Sequence, residues 1–373
     1  MIKIMINDFY EKLAKVVVHH SLEIKKGHKV YIRGHSLAQE LIQAIYVETL
    51  NAGAHPYVYS IIEGIDELFF QNASEEQLNY VGDVEKLIFG SFDRYSFISS
   101  DYNTQKFSTI DPAILTQTQT TPDRKKLMAD FYAKDARREI KWNIVPFPCH
   151  SMAQDAKMDL FTYSEFVIKA LHLDKEDPIR EWRNIKEKQA KIIKKLEKFN
   201  EVRVVGEDTD LTLSISDRPW RNCCGDKNLP DGEVYTAPIE DSVNGHIRFT
   251  FPGIYLGNEI ENIYLEFKDG QVIRATAEKG QMLLDELLKI DGARVIGEFA
   301  VGTNYGITKF TKNMLFDEKM GGTMHCALGF GFKETGSKNE SAIHWDILKD
   351  MKIPGSKIIA DGELIYQEGN WKI

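Results

Sequence analysis

The residues with the most chemistry to offer are a histidine and a carboxylate two positions apart around a tryptophan: His344, Trp345 and Asp346, in the stretch NESAIHWDILKDM. In an extended strand successive side chains alternate between faces, so His344 and Asp346 point one way and Trp345 the other. On a helix the two polar residues diverge. A strand-borne pair of this kind aims one nitrogen and one anionic oxygen at a single point, which suits a divalent cation. Three more motifs in the same half of the chain carry residues of the same character among turn formers. They are Glu233 in LPDGEVYTAP, Glu298 in IGEFAVGTN and His325 in FDEKMGGTMHCALGFGF. Three carboxylates and two imidazoles have the number and hardness to hold two divalent ions, with one carboxylate bridging and positions left for water. Such a pair activates water and polarises a carbonyl or phosphoryl oxygen, so the chemistry it points to is hydrolysis.

A structural account competes at every one of these positions. His344 could be a hydrogen-bonded core histidine and Asp346 a helix cap for ILKDM. Glu233 could lie on a surface turn, Glu298 could pair with Arg294, and Asp317 with Glu318 could sit in a solvated loop. Cys326 follows His325 directly and, in a strand, faces away from it; it reads as a small packed residue.

The elements that must position these residues fall into two textures. The first part alternates helix and strand: a helix over about residues 7 to 23, a strand at HKVYIRG, a helix at LAQELIQAIYVETLNAG ending near Gly53, then strands at HPYVYSI and EKLIFGS. This repetition predicts an α/β layer with a largely parallel sheet. The turn after the first strand, RGHSLAQE, has neither a dinucleotide fingerprint nor a P-loop. Residues 122 to 137 read as a helix, WNIVPFPC as a buried strand, and 178 to 199 as a long charged helix with a solvated face. From about residue 201 strands dominate: VRVVG, LTLSIS, HIRFTF, and the pair IYLEF and QVIRATA joined by Lys268-Asp269-Gly270, a hairpin signal. The expected organisation is an N-terminal α/β domain over residues 1–200 and a mixed, strand-rich α+β domain over 201–373 that carries the metal site.

Composition narrows the partners. The chain of 373 residues is 43% hydrophobic and 28% charged, which is ordinary for a globular protein of two domains. A formal net charge of -9 argues against sequence-independent binding to nucleic acid or to anionic membranes, both of which need a basic face. The opening MIKIMINDFYEKLAKVVVHH is interrupted by Asp8, Glu11 and Lys12, so it has no secretory core and no membrane-spanning length, and a cytoplasmic location is expected. The four cysteines include no Cys-x-x-Cys pair, which argues against a zinc ribbon, and they are expected as thiols.

Taken in order, LPDGEVYTAPIEDSVNG, GARVIGEFAVGTN, LFDEKMGGTMHCALG and NESAIHWD resemble the metalloaminopeptidases of the aminopeptidase T and aminopeptidase S type, exopeptidases with a dinuclear metal centre. The early segment LAKVVVHHSLEIKKGHKVYIRG resembles the same family's N-terminal region, so the similarity spans nearly the whole chain. The resemblance implies that Glu233, Glu298, His325, His344 and Asp346 are metal ligands for two divalent ions, zinc, cobalt, manganese or magnesium. Glu298, which lies between the other ligand groups in sequence, is the expected bridge, Glu233 or Glu298 is the expected acceptor of the proton of the attacking water, and Glu318 matches a family acidic position as a secondary candidate. The resemblance further implies a peptide substrate and a homodimer. One departure stands out: seven residues after His325, where the family carries tyrosine, this chain has Phe332. Without a hydroxyl that residue neither ligates nor donates to an oxyanion, so the enzyme is slower, recruits another donor such as Tyr305, or acts on a different substrate. The interval from His325 to His344 is also short for the family, and a loop near the substrate entrance is expected to be missing. Two other readings remain at this stage: a different metal-dependent hydrolase of amides, esters or phosphoesters, and a non-catalytic binding protein on the same fold.

Overall fold

In the computed structural model, residues 2–373 are described, and their side chains at all of these except 2–7, 112, 113, 116 and 119. The chain divides into two compact units. One comprises the residues up to Trp182 together with Gly225–Pro230; the other comprises Arg183–Cys224 and Asp231–Ile373.

The first unit is an α/β layer. Its strands β1 (Lys29–His35), β2 (His55–Ile61), β3 (Arg94–Ser99) and β4 (Lys141–Pro146) form a parallel sheet in the order β2-β1-β3-β4. Central β1 is buried on both faces, as a parallel strand covered by helices must be, whereas β2 lies at the edge, where Pro56 costs no ladder hydrogen bond. Helix Gln39–Asn51 connects β1 to β2 and buries Leu41, Ile42, Ile45 and Thr49 along one stripe. Gly53, just past its end, takes φ +75°, a backbone conformation that glycine adopts without the Cβ penalty. The expected first helix is present as Ile2–Val16, continued by a π-helical turn at Val17–Ser21.

One element differs from expectation: EKLIFGS is not a strand but part of helix Asp83–Ser91, and the strand follows it as β3. The apolar run contains no alternation. Ile88, Phe89 and, beyond the helix, Phe92 pack on an aromatic cluster around Tyr31, Tyr95 and Phe131, while Leu87 is exposed. Asp83 and Glu85 in the first turn complement the helix dipole.

The second unit is built from β5 (Glu201–Gly206), β6 (Thr209–Ser214), β7 (Arg221–Cys223), β8 (Glu233–Thr236), β9 (Asn244–Arg248), β10 (Gly253–Tyr255), β11 (Asn258–Ile260), β12 (Tyr264–Lys268), β13 (Gln271–Thr276), β14 (Ile296–Gly302), β15 (Thr323–Gly329), β16 (His344–Asp350), β17 (Lys357–Ala360), β18 (Glu363–Gln367) and β19 (Asn370–Trp371). An eight-stranded antiparallel sheet runs β13-β12-β9-β6-β5-β17-β18-β19, and a five-stranded antiparallel sheet runs β16-β15-β14-β8-β7. The β12–β13 hairpin closes through Asp269 and Gly270, at φ +50° and +78°, the two left-handed residues of a type I′ turn. No helix among the described residues is long and apolar enough to cross a membrane.

The five-stranded sheet positions the candidate residues. One face is apolar: Val234, Phe299, Val301, Met324, Cys326, Leu328, Trp345 and Ile347 all lie in the core of the unit. The alternate residues, Glu233, Glu298, His325, His344 and Asp346, therefore share the opposite face. Register places small residues between them: Ala300 lies beside His325, and Ala327 lies between Glu298 and Asp346. These leave room for the longer polar groups to converge.

Candidate metal centre

His344 and Asp346 stand on one side of β16, and Trp345 is buried on the other, where its Nε1 donates to the Ile254 carbonyl at 3.1 Å. Glu298 reaches the same side through a break in the ladder. In a regular strand Ile296 and Glu298 would share a face, yet Ile296 lies in the core and Glu298 does not, because the register shifts between them at Gly297. This bulge re-aims the carboxylate. A side chain at Gly297 would collide with the carbonyl oxygens of Gly329 and Phe330. Gly297→Ala is thus expected to displace Glu298 and the Phe330 carbonyl together. It should cost about 1–3 kcal/mol of stability in a denaturant titration and weaken cation binding measured by equilibrium dialysis.

The five side chains converge into two overlapping groups: Glu233, Glu298 and His325 in one, Glu298, His344 and Asp346 in the other, with the donor atoms of each within 4.8 Å of one another. Glu298 belongs to both. The His325 Nε2 lies 3.2 Å from Glu298 Oε1, 3.4 Å from Glu233 Oε2 and 3.7 Å from Asp346 Oδ1. The His344 Nε2 lies 3.5 Å from Asp346 Oδ1 and 3.9 Å from Glu298 Oε2. At 2.7 Å from the Phe330 carbonyl, His344 Nδ1 carries the proton it donates there, which leaves Nε2 to face the carboxylates. Four of the five are buried, and His344 is half-buried.

Burial and charge set the protonation of this cluster. Burial alone would lower the pKa of His325, but its hydrogen bond to Glu298 and the charges of Glu233 and Asp346 raise it to about 9. The same opposition, with Asp346 as the dominant partner, raises His344 to about 10. Asp346 would be pushed up by burial, and the two histidines with Lys319 instead hold it well below the usual carboxylate range. Glu298 moves the other way, raised first by burial and then by the charges of Glu233 and Asp346 against the His325 hydrogen bond. Without an ion the two imidazolium charges, with the Lys319 ammonium, offset those of the carboxylates. Glu233 Oε2, Asp346 Oδ1 and His325 Nδ1 are nonetheless buried with no hydrogen-bond partner, which costs stability that a cation bound to the carboxylate oxygens would offset. Hard oxygen donors and imidazole nitrogens suit several divalent ions, so the residues fit a metal.

The competing structural accounts do not match these positions. Arg294 spends its guanidinium on the carbonyls of Leu288 and Val272. Asp317 is fully buried and accepts from the Thr311 backbone and hydroxyl, which braces the loop before Glu318. Phe332 packs its ring 5.0 Å from that of His344 and 5.9 Å from that of Tyr235. The Tyr305 hydroxyl donates to the Gly369 carbonyl at 2.8 Å. The phenol on the ligand face is instead Tyr235, two residues after Glu233, whose hydroxyl donates to Glu334 Oε1 at 3.1 Å.

Two positioning residues escape a reading of motifs alone. Gln189, buried on the long charged helix, donates to the Cys223 and Glu233 carbonyls at 2.8 and 3.1 Å and lies 3.0 Å from Thr303 Oγ1, fixing the backbone of the first acidic residue. Its polar type within a charged helix carries no signal of this role. Lys319 is buried with its Nζ on Glu233 Oε1, 2.7 Å from Glu318 Oε1 and 3.9 Å from Asp231 Oδ1. A lysine beside two acids in FDEKMGG was the available hint.

Known proteins resemble this chain along nearly its whole length. The family model described as thermophilic metalloprotease (M29) matches residues 7–371. Aminopeptidase 2 of Geobacillus stearothermophilus is 26% identical, covering 97% of each chain, and aminopeptidase T of Thermus thermophilus is 27% identical, covering 96% of this chain and 95% of its own. The solved structure of wild-type AmpT from Thermus thermophilus superposes with a TM-score of 0.81 at 22% identity, over 98% of this chain and 99% of that one, and so shares the fold.

Proposed function

The chain belongs to the thermophilic metalloprotease (M29) family, and from that premise we propose that it is an aminopeptidase that removes N-terminal residues from peptides at a dinuclear metal centre. The observation that carries the reading is the pair of ligand groups joined at Glu298. In this proposal Glu233, Glu298 and His325 hold one ion, Glu298, His344 and Asp346 hold the other, and Glu298 bridges. Zinc, cobalt, manganese and magnesium are the candidates. When bound, the ions would supply Lewis acidity toward the scissile carbonyl and toward water.

The protein's own groups do the rest. The His344 imidazole is oriented by the Phe330 carbonyl, and Gln189 holds the Glu233 backbone in place. The proton released by the attacking water passes to Glu233 or Glu298, the two carboxylates placed beside it in this reading. Phe332, packed against both Tyr235 and His344, gives that side of the centre an apolar wall. A homodimer working in the cytoplasm completes the proposal.

The test is a panel of aminoacyl chromogenic substrates assayed with each candidate metal. Expected is turnover with at least one metal, loss on chelation, recovery on readdition, and no cleavage of N-acetylated peptides. Absence of turnover with every metal would overturn the reading. Phe332 favours one alternative, hydrolysis of another amide, an ester or a phosphoester, which predicts activity on such a library and none on peptides.

A further inference from the structure

We propose that Lys319 makes the two halves of the centre unequal, so that the Glu298, His344 and Asp346 half takes a divalent ion first and the Glu233, Glu298 and His325 half fills second and more weakly. The inference rests on the dinuclear reading above and extends it to the order of loading.

The two halves differ in how closely the Lys319 ammonium approaches: it pairs directly with Glu233 and acts on Asp346 only from a distance. Glu233 already spends one carboxylate oxygen on the Lys319 ammonium, which is 3% exposed and also contacts Glu318 and Asp231. Among the described residues, the ion pairs of Glu298 and Asp346 are with histidines instead. An imidazole can turn a lone pair to an incoming ion. An ammonium has none to offer, and it adds a positive charge beside the ion in an environment where water screens little.

Lys319 is also held where it is. Its backbone N–H donates to the Phe316 carbonyl at 3.1 Å, and its carbonyl accepts from the Asn304 N–H at 3.0 Å. Asn304 in turn donates from its side chain to the Asp231 carbonyl at 2.8 Å, and it is itself 1% exposed. The loop that brings the ammonium to Glu233 is thereby tied to the strand end that carries Glu233. The charge stays beside this half when an ion arrives.

The consequence is a protein with one firmly held ion and one exchangeable ion. Chelator-treated, dialysed protein titrated with cobalt, followed by calorimetry and by the visible absorption of the bound ion, should show two steps separated by about ten-fold or more in affinity. Glu233→Ala should delete the weaker step and His344→Ala the tighter one. Lys319→Met, similar in length and uncharged, should tighten the weaker step by about ten-fold while moving the tighter one less than about three-fold. Lys319→Arg, which restores the charge, should return the parental pattern; a purely bracing role would instead weaken the second step in Lys319→Met. Equal steps in the parent, or deletion of the tighter step by Glu233→Ala, would overturn the inference even if Lys319→Met fails to fold. So would a folded Lys319→Met with parental steps. No cobalt uptake by the parent would overturn the dinuclear reading itself and this inference with it.

Discussion

Glu298→Gln should remove both ions and lower kcat/KM roughly a thousand-fold or more. Among the five candidate ligands it is the one common to both groups, so its substitution strikes both halves at once. Glutamine keeps the shape of the side chain and its place on β14 after the bulge, and it removes the anionic oxygen that faces His325 at 3.2 Å and the one 3.9 Å from His344. It also removes one of the two candidate proton acceptors of the proposed reaction. The fold should tolerate the change, because losing one of three crowded carboxylates relieves a repulsion that raises the pKa of Glu298 itself. The measurement is elemental analysis of the purified variant beside its activity on the best aminoacyl substrate, with thermal unfolding as the control. Glu233→Gln serves as the comparison and should lose one ion while retaining the other. Retention of two ions and parental activity by Glu298→Gln would remove Glu298 from the centre.

The fold was legible where local chemistry and tertiary context agree. HPYVYSI is a strand over those same residues, and the Asp269-Gly270 turn forms the hairpin its residue types demand. EKLIFGS does not declare its element, because an unbroken apolar run is ambiguous between a buried strand and one side of a helix, and only the packing of Ile88 and Phe89 on Tyr95 decides. Within the candidate centre, the facing of His344 and Asp346 away from Trp345 follows from strand alternation alone. Glu298 is the opposite case: strict alternation from Ile296 would turn it into the core, and only the bulge at Gly297, a property of two strands together, turns it out. Gln189 is beyond reach for the same reason, and FDEKMGG hints at Lys319 without naming its partner. Each acts on Glu233 from a distant part of the chain, and a single sequence does not state which buried polar group will meet which carboxylate.

Protonation offers the second large effect, because without ions the histidines are held charged and with ions they cannot be. His325 and His344 have pKa values near 9 and 10 in the folded metal-free protein, against about 6.5 in an unfolded chain. A raised histidine pKa contributes stability that is complete below about pH 6.5 and is lost as pH climbs through 9 and 10. Glu318, raised to about 8 mainly by burial, acts in the same direction, because the unfolded chain releases that proton near pH 4.3 and the folded one retains it. The metal-free protein should therefore lose stability steadily from near neutrality to pH 10, by a few kcal/mol in all. Asp346 does not oppose this trend, since a depressed carboxylate loses its contribution only as pH falls below the ordinary range. Ligation requires neutral imidazole, so loading two ions at pH 7 should expel about two protons, and affinity should rise with pH until both histidines have titrated. Calorimetric titration in buffers of different ionisation enthalpy counts those protons, and thermal unfolding of chelated protein between pH 6.5 and 10 reads the stability. Ion binding without proton release, or a metal-free protein equally stable across that range, would show that these imidazoles are neutral before any ion arrives. It would also mean that the carboxylates, not the histidine charges, set the electrostatics of the centre.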